Sequence, residues 1–393
     1  MSDIILHKGR EKSVFRRHPW IFSGGIARVN GNPQGGEIVT VRAENGKFLA
    51  RGYWNQRSQI QVRILTWDDE PIDHNWWRKM FTRAINGRKH ITSTAYRLIN
   101  AESDFLAGLI VDKYGDWLVL QALTLAIDLI KKDLAELLME LTGARGVYER
   151  SDVDVRGKEG LKSSVGVLAG EAPPNPIIVD EGVKLAVDVY GGHKTGTYLD
   201  QRQNRALVGE LIYSQPHLTT VLNLFSYTGG FSIHALHHPQ AYVVNVDASA
   251  DALMLARENM RLNRIDEARA EYIQADVFDD LRARMTANEL YDVVILDPPK
   301  FAHAQSQVEK AARGYKDINL NAFKLVKSGG YLFTFSCSGA INADLFQKIV
   351  FGALEDSGRE AQVIRVLGAS DDHPVALSFP EGAYLKGLML RVY

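Results

Sequence analysis

The chain holds one cysteine, Cys337, set between two serines in T-F-S-C-S-G (334–339). The residues just before it, Y-L-F-T-F (331–335), read as a buried strand, so the thiol falls at a strand's carboxyl end. A solitary cysteine usually packs as a small, inert hydrophobe. This one has a chemical neighbour. Upstream, V-I-L-D-P-P-K-F (294–301) ends a second apolar strand on Asp297, and Pro298 and Pro299 then fix the backbone and remove two donors. A thiol and a carboxylate at two strand ends suit covalent chemistry on a pyrimidine. Cytosine C5 is too weak a nucleophile to take a methyl group unaided, whereas thiolate addition at C6 makes C5 enamine-like. Asp297 could then hydrogen-bond or protonate a ring nitrogen, and Phe301 could stack on the base. Lys300 could hold a phosphate, and it reads equally well as a solvated surface lysine.

A second constellation lies at 221–235. V-L-N-L-F (221–225) reads as a buried strand, S-Y-T-G-G (226–230) as a tight turn, and helical spacing starts at Phe231. Strand, glycine turn and helix make room for a nucleotide-like ligand, because glycine admits a close backbone approach and a helix start offers N–H groups. Gly229 and Gly230 are adjacent, unlike the spaced glycines of dinucleotide folds. Asp247 closes the next strand (V-V-N-V-D) and Asp276 the one after it (Y-I-Q-A-D). Either alone is most simply a helix N-cap. In succession behind a glycine turn they favour an adenosyl ligand, with Asp247 on ribose hydroxyls and Asp276 near the adenine amine. NAD and S-adenosylmethionine both satisfy that pattern. The D-P-P tripeptide is typical of S-adenosylmethionine-dependent methyltransferases acting on bases and is not expected in a dehydrogenase.

The elements that must position these residues alternate from residue 191 onwards. Strands are expected at 221–225, 242–246, 271–274, 293–296, 331–335 and 362–366, each but the last followed by a helical pattern. Such repeats imply a mainly parallel, Rossmann-like α/β sheet with ligands at the strands' carboxyl ends. A last strand within 383–392 follows another strand through a loop and suggests an antiparallel edge. Residues 71–190 read as a middle α+β connector domain without chemical signature: a helix at 76–88, strands at 107–112 and 116–123, a helix at 125–141 and a strand at 146–150. The acidic run 68–70 marks the boundary before it. Residues 1–70 look like a small β-rich domain, with Asn45-Gly46 as a hairpin turn.

Charge separates these parts. The whole chain carries a net −1, yet residues 1–67 hold 11 Lys/Arg against 4 Asp/Glu. So basic a block points to a polyanion, most simply nucleic acid. Lys8, Arg10, Lys12, Arg16 and Arg17 cluster at its start, interleaved with Phe15, His18 and Trp20. The cations suit phosphates and the aromatics suit unpaired bases, although Trp20 is better placed in a core. No membrane-spanning apolar run, no metal-ligand cluster and a single cysteine lead us to expect a cytoplasmic protein without metal.

The stretch K-G-R-E-K-S-V-F-R-R-H-P-W-I-F-S-G (8–24) resembles the opening of a PUA domain, a small RNA-binding barrel. Residues 191–393 resemble the class I catalytic domain of RNA cytosine-C5 methyltransferases, and the whole chain is similar to the RlmI type, which acts on bacterial 23S rRNA. The match rests on G-H-K-T-G-T-Y-L-D-Q-R (192–202), L-F-S-Y-T-G-G-F-S (224–232), L-D-P-P-K-F (296–301), R-G-Y-K-D-I-N (313–319), T-F-S-C-S-G (334–339), D-H-P-V (372–375) and E-G-A-Y-L-K-G (381–387). The resemblance implies that Cys337 is the nucleophile, assisted by Asp297. It implies that Lys194, Thr195, Gly196, Tyr198, Asp200, Gln201 and Arg202 cover S-adenosylmethionine. Phe225, Ser226, Tyr227, Thr228, Gly229, Asp247, Asp276 and Asp297 would line its pocket. It also implies 23S rRNA, free or in a precursor particle, as partner, contacted by the N-terminal cations together with Lys300 and Phe301, and leaves a homodimer open. One departure stands out. Many relatives place a second cysteine after the fourth strand, where this chain has Pro298-Pro299, so another base must remove the C5 proton. Two alternatives remain at this stage, an exocyclic amino methyltransferase, which needs no cysteine, and a non-catalytic RNA-binding assembly factor.

Overall fold

A computed structural model of the chain describes residues 2–393, and it divides into two units. The first comprises the chain up to Ile178 together with Val187–Leu199 and Asp372–Gly382; the second comprises Val179–Ala186, Asp200–Asp371 and Ala383–Tyr393.

In the first unit a six-stranded sheet runs in the order Trp20–Phe22, Ile60–Thr66, Phe48–Trp54, Ile38–Arg42, Asp3–Leu6, Ile26–Asn30. The Asn45-Gly46 turn forms as the dipeptide dictates: Gly46 has φ 83°, and the Lys47 N–H donates to Asn45 Oδ1 at 3.1 Å. A second, five-stranded sheet contains Ala95–Asn100, Leu109–Tyr114, Trp117–Ala122, Gly146–Ser151 and Ser164–Gly170. The helix His74–Gly87 buries Trp77, Met80 and Phe81, and Asp73 caps it by accepting from Trp76 N–H at 2.9 Å. The strand Ala95–Asn100 is not evident in the sequence, because Arg97 breaks the apolar pattern. In the fold that arginine is buried and forked onto Asp112 at 2.8 and 3.0 Å. Arg63, on a strand of the first sheet, donates to Glu102 at 2.9 Å and Glu159 at 3.0 Å, which lie in short turns following strands of the second.

The second unit is built on a seven-stranded sheet whose strands we label β1 (Thr219–Leu224), β2 (Ala241–Asp247), β3 (Ala270–Gln274), β4 (Tyr291–Leu296), β5 (Val326–Ser336), β6 (Ala361–Gly368) and β7 (Lys386–Val392). Its order is β3-β2-β1-β4-β5-β7-β6, with β1 to β5 parallel and β7 antiparallel to both β5 and β6. The helices between strands are α1 (Gly230–Leu236), α2 (Ala250–Leu262), α3 (Val277–Thr286), α4 (Val308–Leu325) and α5 (Ala343–Ser357). Strands sheathed on both faces need apolar side chains on both, and β1 and β4 supply Val221, Leu222, Leu224, Val293, Val294, Ile295 and Leu296, all fully or almost fully buried. The register sets Leu224 level with Val246 and Leu296, and Leu296 level with Thr334. The carboxyl ends of β1, β2, β4 and β5 therefore lie side by side.

One expectation needs correction. The last strand is antiparallel, but it is inserted between β5 and β6, and β6 takes the edge. The cause is its composition: L-M-L (388–390) is buried on both faces of β7, whereas β6 leaves Val363, Ile364 and Val366 exposed.

A buried Asp–Arg–His cluster braces this unit under α1. Asp180 Oδ2 accepts from Arg205 Nε at 2.7 Å and lies 3.2 Å from His234 Nε2, and all three side chains are almost fully excluded from water. Burial alone would raise the Asp180 carboxyl, but Arg205 and His234 beside it hold it well below the usual carboxylate range. A depressed carboxyl stabilises the fold above its unfolded-chain pKa, about 3.9, and that contribution disappears as the pH falls towards the folded value. Acidification below about pH 4 should therefore weaken this unit. Asp180→Ala leaves Arg205 buried without its partner and should reduce unfolding free energy by about 3–5 kcal/mol in a urea titration. A loss under about 1 kcal/mol would contradict the bracing role.

Candidate active site

At the end of β1 the chain enters a turn that few sequences tolerate. Phe225, Tyr227 and Gly229 all have positive φ, at 58°, 48° and 74°. Two of the three are not glycine, and left-handed backbone at such residues is kept only where surrounding bonds impose it. Those bonds are present. Asp247 Oδ2 accepts the Tyr227 N–H at 2.8 Å and its Oδ1 accepts the Ser249 N–H at 2.9 Å. Ser226 N–H donates to Val246 O at 3.1 Å, and Asn259 Nδ2 holds Thr228 O at 2.9 Å. A Cβ on Gly229 would come within 3.0 Å of Ala256 Cβ, so α2 packs directly on the turn. The Ser226 hydroxyl is buried and makes no hydrogen bond within the protein. A buried, unsatisfied hydroxyl is a group waiting for a polar ligand atom, and the turn thus fits the adenosyl ligand expected from the sequence.

Asp276 is the N-cap of α3, with Oδ1 accepting from Phe278 N–H at 2.8 Å and Asp279 N–H at 3.3 Å. The simpler reading of that residue is therefore realised in the fold, at the carboxyl end of β3.

The loops after β4 and β5 carry Asp297 and Cys337. Asp297 Oδ1 accepts from Gln201 Nε2 at 2.9 Å, and Gln201 Oε1 is in turn held by Asn204 Nδ2 at 2.6 Å. Cys337 is partly exposed, and its Sγ lies 4.0 Å from Pro298 O. Ser338 beside it is fully buried and joins the two loops: its Oγ accepts the Ala302 N–H at 3.1 Å and meets the Tyr315 hydroxyl at 3.0 Å. Burial pushes the Tyr315 hydroxyl pKa up, so it stays protonated and able to donate. Phe301 packs against Tyr315, Phe278 and Phe225 at ring distances of 4.6, 5.9 and 6.5 Å, which makes it a wall of this end of the sheet. Lys300 is exposed. Behind the Cys337 turn, Lys386 Nζ donates to Ser338 O at 2.7 Å and Ile341 O at 2.5 Å. Sequence reasoning missed Ser338, Tyr315 and Lys386 as site residues. Of these only Lys386 leaves a signal, as a lone cation opening an apolar strand.

The segment expected to cover a cofactor is divided. Residues 194–199 belong to the first unit and 200–202 to the second. Lys194 has φ 56° and sets its ammonium 4.5 Å from the Tyr198 ring centre, while the Tyr198 hydroxyl bonds His193 Nδ1 at 3.0 Å. Thr195 is buried, donating to Asp112 at 2.6 Å and meeting Tyr114 at 2.9 Å. A Cβ on Gly196 would strike Val187 Cγ1 at 2.6 Å. Asp200 accepts from the Tyr384 hydroxyl at 2.6 Å. Arg202 is buried between Glu181 and Asp371, so its charge is committed to ion pairs.

In the first unit, Lys8, Arg10, Lys12, Arg16 and Arg17 are all exposed. Arg10, Ser13, His18, Trp20, Phe22 and Glu381 line a cleft of about 500 Å³. Trp20 is half-buried, donating from Nε1 to Glu102 at 2.8 Å and packing against Phe379 at 4.8 Å, whereas Phe15 and Phe22 are 58% and 50% exposed. Arg10 and the accessible Phe22 thus border one cleft. Among the described residues no cluster of side chains suited to a metal ion is found, and no helix is long and apolar enough to cross a membrane.

Comparison with known proteins agrees with these features. Residues 4–67 match the PUA-like domain family and residues 143–391 the S-adenosylmethionine-dependent methyltransferase family. The ribosomal RNA large subunit methyltransferase I of Aeromonas salmonicida is 48% identical over 394 residues, covering 99% of this chain and 98% of the relative. That of Shewanella amazonensis is 48% identical over 396 residues, covering 99% of each. Among solved structures, a protein assigned as a SAM-dependent methyltransferase from Streptococcus mutans superposes with a TM-score of 0.83 at 22% identity over 100% of both chains. A further methyltransferase structure, complexed with SAH, gives 0.85 at 22% identity over 100% of both chains. At that identity the structures speak for the fold alone. The relatives and the family matches together place the chain in the S-adenosylmethionine-dependent methyltransferases, within the ribosomal RNA large subunit methyltransferase I family.

Proposed function

We propose that this chain methylates C5 of a cytosine in 23S ribosomal RNA, with Cys337 as the covalent nucleophile. The observation that carries the reading is the placement of the chain's one thiol. It stands partly exposed at the end of β5, 4.0 Å from Pro298 O, with Ser338 fastening its turn to the Asp-Pro-Pro loop. The full-length likeness to large-subunit rRNA methyltransferases supports the substrate class.

S-adenosylmethionine, the family's methyl donor, supplies an electrophilic methyl group to the target carbon. The protein's residues do the rest. Ser226 to Gly229 and Asp247 hold the ribose side of the cofactor, Asp276 faces the adenine, Phe225 borders the pocket, and residues 194–202 cover it. Residues 1–70 hold RNA through Lys8, Arg10, Lys12, Arg16 and Arg17, residues 71–190 connect, and residues 191–393 perform the chemistry. Stacked bases are out of reach, so the target cytosine is splayed into the pocket beside Phe301, with Lys300 on a phosphate. The Cys337 thiolate bonds to C6 while Asp297 donates to N3, and electron density moves to C5. Once C5 carries the methyl group, its proton leaves to Asp297, ionised by its donation to N3, or to water held beside it, and N3 releases the proton it took to solvent. The C5–H electrons restore the C5–C6 double bond, and the Cys337 thiolate departs.

Two outcomes test this reading. Gly229→Ala forces a side chain onto left-handed backbone against Ala256 and should weaken S-adenosylmethionine binding by about tenfold in calorimetry. Cys337→Ala should leave that binding unchanged and abolish transfer of tritiated methyl groups to 23S rRNA. Wild-type transfer by the variant would eliminate the covalent mechanism in favour of amino-group methylation, and bisulfite sequencing of rRNA from a deletion strain would then show no lost 5-methylcytosine.

A further inference from the structure

Lys386 is an unusual residue to find inside a sheet. It opens β7, is 7% exposed, and lies in register with Ser336, the residue before Cys337. Its Nζ donates to Ser338 O at 2.7 Å and Ile341 O at 2.5 Å, two carbonyls of the turn that starts at Cys337. Buried lysines are normally paired with carboxylates. Here the charges acting on the ammonium are those of Cys337, which favours it, and of Lys300, which opposes it; no carboxylate is among them. Other titratable groups on the two loops and the helix packed against them are Tyr315, bonded to Ser338 Oγ, and Asp297, held by Gln201, while Asp247 and Asp276 stand at the ends of β2 and β3. Lys300 is exposed, so solvent weakens its effect. The buried ammonium is thus the cation whose field is least screened at the thiol.

We propose that Lys386 is the positioning residue of Cys337: it fixes the 338–341 turn through two carbonyls and supplies the positive charge that stabilises the thiolate. The proposal rests on Cys337 being the nucleophile. It gives the buried lysine a chemical reason to be there, since a nearby cation is what converts an ordinary thiol into a reactive thiolate. An ammonium has three donors, and two are spent on the carbonyls, so the group can hold the turn and face the sulfur at once. Burial draws the Lys386 pKa down to about 8, with Cys337 opposing that pull. The ammonium is therefore mostly charged at neutral pH, and its field fades in mildly alkaline solution.

The test is the pH dependence of iodoacetamide alkylation of the full-length protein, read by mass spectrometry at its one cysteine. Wild type should alkylate with a midpoint below the ordinary thiol value of about 8.5. Lys386→Met should move the midpoint up by about one unit, slowing alkylation near pH 7 about tenfold, and Lys386→Arg should restore most of the reactivity. A wild-type midpoint at or above about 8.5, or superimposable profiles for wild type and folded Lys386→Met, would overturn the proposal. Should Lys386→Met fail to fold, the wild-type profile decides alone. Alkylation needs no RNA or methyl transfer, so its outcome is separable from that of Cys337→Ala, which tests the nucleophile itself.

Discussion

One oxygen atom holds the reactive end of this molecule together. Ser338 Oγ accepts the Ala302 N–H from the loop after β4 and meets the hydroxyl of Tyr315 on α4, while its neighbour Cys337 faces Pro298 O. Two loops that parallel strands merely bring near each other are thereby fixed to one another. Parallel pairing of β4 with β5 sets the level of Leu296 and Thr334, but it does not constrain what the chain does beyond them. A thiol free to swing would meet a pyrimidine edge only rarely, and catalysis depends on geometry held to fractions of an ångström. The buried hydroxyl, bonded on both sides, supplies that constraint.

The turn after β1, proposed to hold the cofactor, is kept in place by the same device with other atoms. Asp247 spends its two oxygens on the Tyr227 and Ser249 N–H groups, which keeps non-glycine backbone in left-handed conformation and turns Ser226 Oγ inward without a partner. Beneath α1, its His234 is bonded to Asp180, which also holds Arg205. Strain at the turn is thus borne by Asp247 and the backbone hydrogen bonds around it.

Much of this was legible before the fold was known. The carboxyl-terminal parts of β1 and β4 are mainly apolar, V-L-N-L and V-V-I-L, which marks them as central strands, and each ends on a turn with its own chemical signature. What escaped is instructive. The strand Ala95–Asn100 is hidden by Arg97, whose charge is cancelled by Asp112, a partner that only the fold brings near. Arg202, expected over the cofactor by resemblance, is paired with Glu181 and Asp371, partners that the sequence does not mark. Ser338 and Lys386 bond mainly to backbone groups or to a distant tyrosine, and such partners leave no residue pattern in the sequence. The order of the last two strands depended on which one could tolerate burial on both faces, a property that the shared apolar character of β6 and β7 conceals.

The central claim is that a bond forms between Cys337 and the pyrimidine ring. RNA bearing 5-fluorocytidine at the target position tests it directly, because fluorine on C5 cannot leave as a proton and the enzyme is trapped on its substrate. Wild-type protein with S-adenosylmethionine should give a complex that survives denaturing electrophoresis, with Cys337 carrying the nucleotide mass after digestion. Absence of any covalent complex, under conditions where the unfluorinated RNA is methylated, would contradict the account.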